Sequence, residues 1–355
     1  MKRMLIFTVV LSLFSTSNIF AGEYSYIYKG VRPMGMGGAF VAVSNDANAL
    51  FYNPAGLADI TERRVSLLNL AAETSPDGYD MFSDALDVDF DSAEETASFL
   101  QSYIGEYSHV GLSFFPYYVK PGFAFALIGS GTMNLQARDR QSPKLIVDSV
   151  GDAGAALGYA RSFFDDNLLV GAGVKYIMRK SLDEEYTVLD ITTDDFEDRL
   201  EDDYEDGQGA LLDLGIMYKF RDVQIGTRNI DFQVGLSANN LIDNDMGDAK
   251  DIEDHIDLGF AAKIDRWIFA LDYVDLFSQV GDDDDPGKRI RLGAEFAYKP
   301  FLFLRFGFYQ GYMTFGIGLE TKNIQFDLLT YSEEVGTYSG QRDDRRYMLR
   351  LGFGF

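Results

Sequence analysis

The last nine residues, Tyr347-Met348-Leu349-Arg350-Leu351-Gly352-Phe353-Gly354-Phe355, put a large apolar side chain at every odd position and Met, Arg or Gly between. A period of two is the signature of a β-strand with two unlike faces. The pattern recurs upstream. Leu302, Leu304, Phe306 and Phe308 alternate with Phe303, Arg305 and Gly307, and Met313, Phe315, Ile317 and Leu319 alternate with Thr314, Gly316, Gly318 and Glu320. Ile290, Leu292, Ala294 and Phe296 oppose Arg291, Gly293 and Glu295; Leu212, Leu214, Ile216 and Tyr218 oppose Asp213, Gly215 and Lys219. A soluble sandwich would turn Lys, Thr and Glu to water on the second face. Here that face is mostly Gly with isolated charges, which suits the crowded polar interior of a transmembrane barrel whose apolar residues meet lipid.

Fourteen such segments follow one another, at 62–73, 103–119, 121–136, 152–164, 167–180, 208–220, 229–240, 255–264, 267–276, 288–298, 301–309, 312–320, 322–333 and 343–355. Connections at Lys120, Asp165-Asp166, Asp265-Arg266, Lys299-Pro300 and Thr321-Lys322 are tight, and 221–228 is somewhat longer. The connections between them are long: 74–102, 137–151, 181–207, 241–254, 277–287 and 334–342. Short turns on one side and long loops on the other is the asymmetry of outer-membrane barrels, and only Gln310-Gly311 departs from it. The expected fold is therefore an all-β, antiparallel transmembrane barrel of about 14 strands spanning 62–355, in the outer membrane of a Gram-negative-type bacterium. Phe355 supplies the terminal aromatic of this class.

Composition removes competing classes. The chain of 355 residues has a net charge of −25, which would repel a nucleic-acid backbone. It holds no cysteine and only His109 and His255, so thiolate sites and His-rich metal or triad arrangements are absent; neither metal nor cofactor is expected. His255 stands beside Asp254 and near Asp257, but no nucleophile accompanies it, and no enzyme activity is expected. The acidic stretches, 77–95, 183–206, 243–257 and 282–285, read as solvated outer loops and offer a surface to basic protein partners. They look too acidic for a greasy capture groove. Ser92-Ala-Glu-Glu95 followed by Ala97, Leu100, Tyr103 and Ile104 predicts a short capped helix on the first of them.

The N-terminus divides in two. Met1-Lys2-Arg3, the apolar run Met4 to Phe14 and a small residue at Ala21 form a signal peptide over 1–21. After it, 22–61 is dense in Gly and Ala, with Gly-Met-Gly-Gly-Ala-Phe-Val-Ala at 35–42 and Phe-Tyr-Asn-Pro-Ala-Gly-Leu-Ala at 51–58. Residues this small do not make a lipid-facing strand; a plug in the lumen is the economical placement. The stretch from Arg32 to Ala58 resembles the start of FadL-type outer-membrane transport proteins and relatives such as the PorV-like proteins of type IX secretion and the TraF-like barrels.

That resemblance implies an N-terminal hatch inside a fourteen-stranded barrel and passive, hatch-gated uptake of fatty acids or other hydrophobic small molecules by a monomer sitting in outer-membrane lipid. The alternative it leaves open is a PorV-like barrel that docks secreted proteins or an export complex. The hatch motif falls on Gly35, Gly37, Gly38, Asn53, Pro54 and Ala55, with Pro54 expected to leave strand pairing incomplete. The family's kinked third strand, which opens the wall sideways, falls on Gly129, Ser130 and Gly131. Alternation places Lys175, Lys219, Arg291, Arg305 and Arg350 in the lumen, where each either meets an anionic ligand or pairs with a carboxylate such as Glu295, Glu320 or Asp327.

Overall fold

The computed structural model describes residues 26–242, 245–280 and 285–355. The expected signal peptide and the first residues of the hatch lie outside them. The strands are β1 (Arg64–Thr74), β2 (Ser108–Phe114), β3 (Tyr117–Lys120), β4 (Phe123–Arg138), β5 (Lys144–Phe163), β6 (Leu168–Thr187), β7 (Glu205–Ile225) and β8 (Arg228–Leu241). They continue through β9 (His255–Ile264), β10 (Trp267–Tyr273), β11 (Ile290–Lys299), β12 (Leu302–Tyr309), β13 (Tyr312–Glu320), β14 (Ile324–Glu334) and β15 (Asp343–Gly354). Each pairs antiparallel with its neighbours, and β15 closes on β1 from Ser66↔Gly354 to Thr74↔Tyr347. Both β2 and β3 pair with β1 and with β4, so they are two halves of one wall strand and the closed barrel has fourteen. Closure satisfies every wall edge, the condition for backbone in hydrocarbon.

Alternation sorts the side chains as the sequence predicts. Tyr347, Leu349, Leu351 and Phe353 are exposed on the outside while Arg346, Met348 and Arg350, which alternate with them, are buried. Among the described residues no helix is long and apolar enough to cross a membrane; the crossing is made by strands.

Three strands are longer than expected. β5 and β6 have 20 residues and β7 has 21, about twice the ~9–11 that span a bilayer. The acidic segment from Asp183 to Glu185 is thus strand rather than loop, and 221–225 continues β7 instead of joining a wide turn. Around these extensions the long connections fold into helices: α3 (Pro76–Ala85) and α4 (Ala93–Ser102) from the first, α5 (Val188–Ile191) and α6 (Phe196–Asp202) from the fifth, numbered after two in the hatch, α1 (Val31–Gly35) and α2 (Ala49–Tyr52). Ser92 caps α4, accepting from Glu95 N at 3.4 Å, as its motif predicts. The helices bury Met81, Phe99, Leu100 and Ile191 against Ala137, Val147, Leu182 and Tyr186 of the strands. These strand positions share a face with the lipid-exposed side chains lower down, so this small core lies outside the barrel.

Candidate hatch and lumen site

Residues 26–61 are largely buried against the barrel wall. Their bonds reach strands around much of the circumference: Ser130 Oγ donates to Ile27 O (2.8 Å) on β4, Asp272 Oδ2 accepts from Phe40 N (2.6 Å) and Val41 N (2.8 Å) on β10, Thr314 Oγ1 donates to Gly35 O (3.2 Å) on β13, and Lys29 pairs with Glu333 (2.9 Å) on β14. Arg32 is the largest fastening. Its Nε and Nη2 grip Glu295 at 2.9 and 2.8 Å while Nη1 holds Asn45 (2.7 Å) and Asp46 (2.8 Å). A two-pronged guanidinium–carboxylate contact fixes orientation as well as charge.

The hatch motif is a packing device. Gly37 has φ +64°, open to glycine at little cost, and a Cβ there would overlap the backbone of Leu292 and Phe308. Wall glycines make the matching room: side chains at Gly293, Gly307, Gly171 and Gly215 would overlap Met36, Gly37, Pro54 and Asn53 respectively. Asn53 is wholly buried; its Oδ1 accepts from Ala55 N (3.1 Å) and its Nδ2 donates to Val41 O (3.0 Å) and Leu236 O (3.5 Å). Pro54 does not interrupt a strand. It opens a 3₁₀ helix, Pro54–Asp59, at the position where a missing N–H leaves nothing unpaired.

The five expected lumen cations are all buried. Lys175 meets Asp213 (2.8 Å) and Asn240 (2.7 Å), Lys219 pairs with Asp59 of the hatch, Arg305 bridges Glu295 (2.7 Å) and Asp327 (2.5 Å), and Arg350 Nε reaches Asp327 (2.9 Å). Arg291 is the exception. Its guanidinium lies 3.8 Å from the Tyr309 ring centroid and Nη2 donates to Tyr26 OH at 3.3 Å, but Nη1 has no partner. Glu320 does sit toward the lumen mouth, paired with Arg64.

The third strand is not kinked at its glycines. Gly129, Ser130 and Gly131 pair in unbroken register with Phe114, Ser113 and Leu112 on one side and with Ala153, Asp152 and Gly151 on the other. The interruption is one strand earlier, at Phe115-Pro116, because proline cannot donate to a ladder. Phe115 turns inward and its ring stacks near Tyr28 (4.4 Å), Phe51 (5.4 Å) and Tyr117 (5.6 Å), tying the defect to the hatch. Pro116 inside an alternating run was the available signal for it.

Two small cavities adjoin the hatch. One of about 80 Å³ lies between Tyr26, Phe51, Tyr52, Tyr309 and Arg291, and another of about 60 Å³ beside Glu73, Ser130 and Asp152. Both fall far below the ~300 Å³ at which small-molecule sites begin. On the side of the short turns is a charged vestibule of about 660 Å³ lined by Arg32, Asp46, Arg64, Glu295, Glu320, Lys322 and Arg350. His255 rests 3.4 Å from Asp257 with Asn239 between, and His109 between Asn134 (2.6 Å) and Glu73 (3.2 Å); these partners are carboxylates and amides. Among the described residues no three His, Asp or Glu side chains converge on a metal-sized site.

A family described as "F plasmid transfer operon, TraF, protein" matches residues 124–319, and the chain belongs to it. Among solved structures, the chain is similar to the Ralstonia pickettii toluene transporter TbuX, with TM-score 0.51 and 13% identity over 92% of this chain and 98% of that one. Similarity extends to the Pseudomonas putida toluene transporter TodX (TM-score 0.45, 12% identity, 95% and 98% covered) and a Pseudomonas aeruginosa FadL homologue (0.36, 10%, 94% and 98%). No curated protein matches the chain. The fold is the one shared with the toluene transporter TbuX.

Proposed function

We propose that this barrel carries hydrophobic small molecules across the outer membrane when its hatch is displaced, with Arg291 receiving the polar end of the ligand. The observation that carries this reading is the Arg291 guanidinium, fully buried among Tyr26, Tyr52 and Tyr309 with one terminal nitrogen unpaired. A buried guanidinium with no carboxylate in hydrogen-bond contact and one nitrogen unsatisfied is costly, and an acceptor group on a ligand would satisfy it. An aromatic wall with one charge-assisted donor suits a molecule that is apolar except at one acceptor group. Fatty acids are the strongest such case, and likeness in fold to the toluene transporter TbuX agrees with an apolar cargo.

The exit we infer is sideways. The vestibule under the hatch is lined by charged side chains, a poor route for an apolar molecule, whereas the Phe115-Pro116 break lies against Leu127 and Gly129 of β4, whose outer faces meet lipid. Gly129, Ser130 and Gly131 then serve as the small-residue margin of that opening.

Equilibrium binding of oleate to purified protein tests the reading. A charge-assisted bond contributes roughly 1.5–3 kcal/mol, so Arg291→Met should weaken oleate about tenfold or more while the heat-modifiable barrel persists. Unchanged affinity in a folded variant removes Arg291 from the site. A stoichiometric protein co-purifying with a lumen free of lipids would replace transport by partner docking.

A further inference from the structure

The loops expected to be acidic and solvated, with one short amphipathic helix, enclose an apolar cavity of about 620 Å³, well within the ~300–1,000 Å³ of ligand sites. Met81, Phe90, Phe99 and Leu100 form its outer wall, and Ile191, Phe196 and Leu200 its roof. Its floor is the barrel itself, at Val110, Met133, Leu135 and Leu145.

Parity places that floor on the outside. Val110 shares a face with Leu112 (62% exposed) and Phe114, Met133 and Leu135 with Phe125 and Leu127, and Leu145 with Leu157 and Tyr159, all of them exposed, lipid-facing positions. Val110 pairs with Met133, and the next pair toward the membrane on the same face is Leu112 with Gly131. The floor therefore runs without interruption into the lipid-facing wall, beginning where β4 has already used the ~9–11 residues a strand needs to span the bilayer. Phe82 lines the cavity while remaining 64% exposed, and Tyr79 and Leu86 extend the same exposed stripe of α3. An opening at this height, greasy on its membrane side, admits molecules dissolved in the outer leaflet.

Charge selects among them. Asp91, Asp194 and Glu197 line the cavity, and no Lys or Arg is among its described lining residues. These acids are solvent-exposed and stand at the cavity's rim, so a carboxylate or phosphate entering past them meets like charge, whereas an uncharged molecule does not.

We propose that this cavity, outside the barrel and separate from the lumen site, binds uncharged apolar molecules partitioned in the outer leaflet and discriminates against anionic amphiphiles of the same length. It stands independently of the lumen reading, because no residue is shared.

The chain contains no cysteine, so one introduced thiol reports cleanly. Leu135→Cys and, separately, Leu145→Cys would be reconstituted in lipid nanodiscs, checked for heat-modifiability, and labelled with a small maleimide at pH 8 with dodecanol or dodecanoate at equal bilayer concentration. The expected result is labelling slowed at least fivefold by dodecanol and less than twofold by dodecanoate, with no slowing by either at a Leu349→Cys control on the lipid-facing wall. Adding Asp194→Asn and Glu197→Gln should make dodecanoate protect nearly as well as dodecanol. Protection by neither probe, equal protection by both in the parent acid background, or equal slowing at the control would overturn the proposal. Loss of oleate binding in Arg291→Met with this protection intact would show that the two sites are distinct.

Discussion

Asn53 shows how one side chain seats the hatch. It is the shared partner of a hatch turn, a second hatch segment and the wall carbonyl of Leu236, and it fits only because position 215 of β7 has no side chain. Gly215→Ala puts a methyl group where Asn53 Oδ1 and Ala55 N now lie. Strands accept alanine, so the wall should still close, and the strain falls on the hatch. The expected outcome is a folded, heat-modifiable barrel with raised single-channel conductance in planar bilayers. Asn53→Ala should loosen the same contact by another route, leaving Ala55 N and Val41 O unpaired at about 1–3 kcal/mol each and lowering the melting temperature. An unaltered conductance in both variants would mean that this motif does not hold the lumen shut.

At the scale of elements, what was legible depended on whether a strand faced two different solvents. β9 to β15 alternate between lipid and lumen along nearly their whole length, and their positions and turns could be read directly. The outer parts of β5 and β6 face neither. Leu182 and Tyr186 are covered by the protein's own helices, so Asp183, Glu184 and Glu185 dominated the pattern and the segment read as loop. For the same reason α3 was missed, and an apolar cavity went unseen beneath acidic letters. The Gly- and Ala-dense stretch that packs on the wall was visible, and alternation puts all five cations inward but says nothing about which lacks a carboxylate in contact.

The junction of β6 and α5 carries its own pH test. Thr187 Oγ and backbone N both bond the Asp190 carboxylate, which also holds Arg199, and Asp190 N donates back to Thr187 Oγ1. The hydrogen bonds from Thr187 hold the Asp190 carboxyl down at about 2, against an ordinary 3.8, with the Arg199 charge assisting. A group whose folded pKa is depressed contributes stability above its ordinary value and loses it as pH falls toward the folded one. Amide exchange in α5 and α6 should thus be slow and constant from pH 7 down to about 4, after correction for intrinsic rates, and rise between 4 and 2. Asp190→Asn should remove that transition, and an unchanged transition in the variant would assign it to other carboxylates of the loop.

For the whole molecule, the question is how much of the barrel stands without its filling. Glu295, Arg305, Asp327 and Arg350 form a chain of ion pairs wholly within the wall, and β15 closes on β1 through backbone bonds that do not involve the hatch. Removing residues 22–61 takes away Arg32, Lys29 and Asp59; Glu333 keeps Tyr309 and Arg346, whereas Lys219 and the Asp272 carboxylate, which holds Phe40 N and Val41 N, lose their hatch partners and would then face a water-filled lumen where charge is tolerated. Wall glycines that now abut the hatch would line open space. Deletion of 22–61, with residues 1–21 retained, should therefore yield a strand-rich, heat-modifiable barrel with a lower melting temperature and a conductance several times that of the intact chain, whose hatch-side cavities of about 80 and 60 Å³ are too small to conduct freely. Planar-bilayer recording and far-ultraviolet circular dichroism read both properties on the same preparation. A folded barrel with unchanged conductance would show that the outer loops seal the lumen and the hatch is structural filling. A chain that no longer folds would show that the hatch templates closure, and Gly215→Ala, which keeps every hatch residue, then decides whether it also acts as the gate.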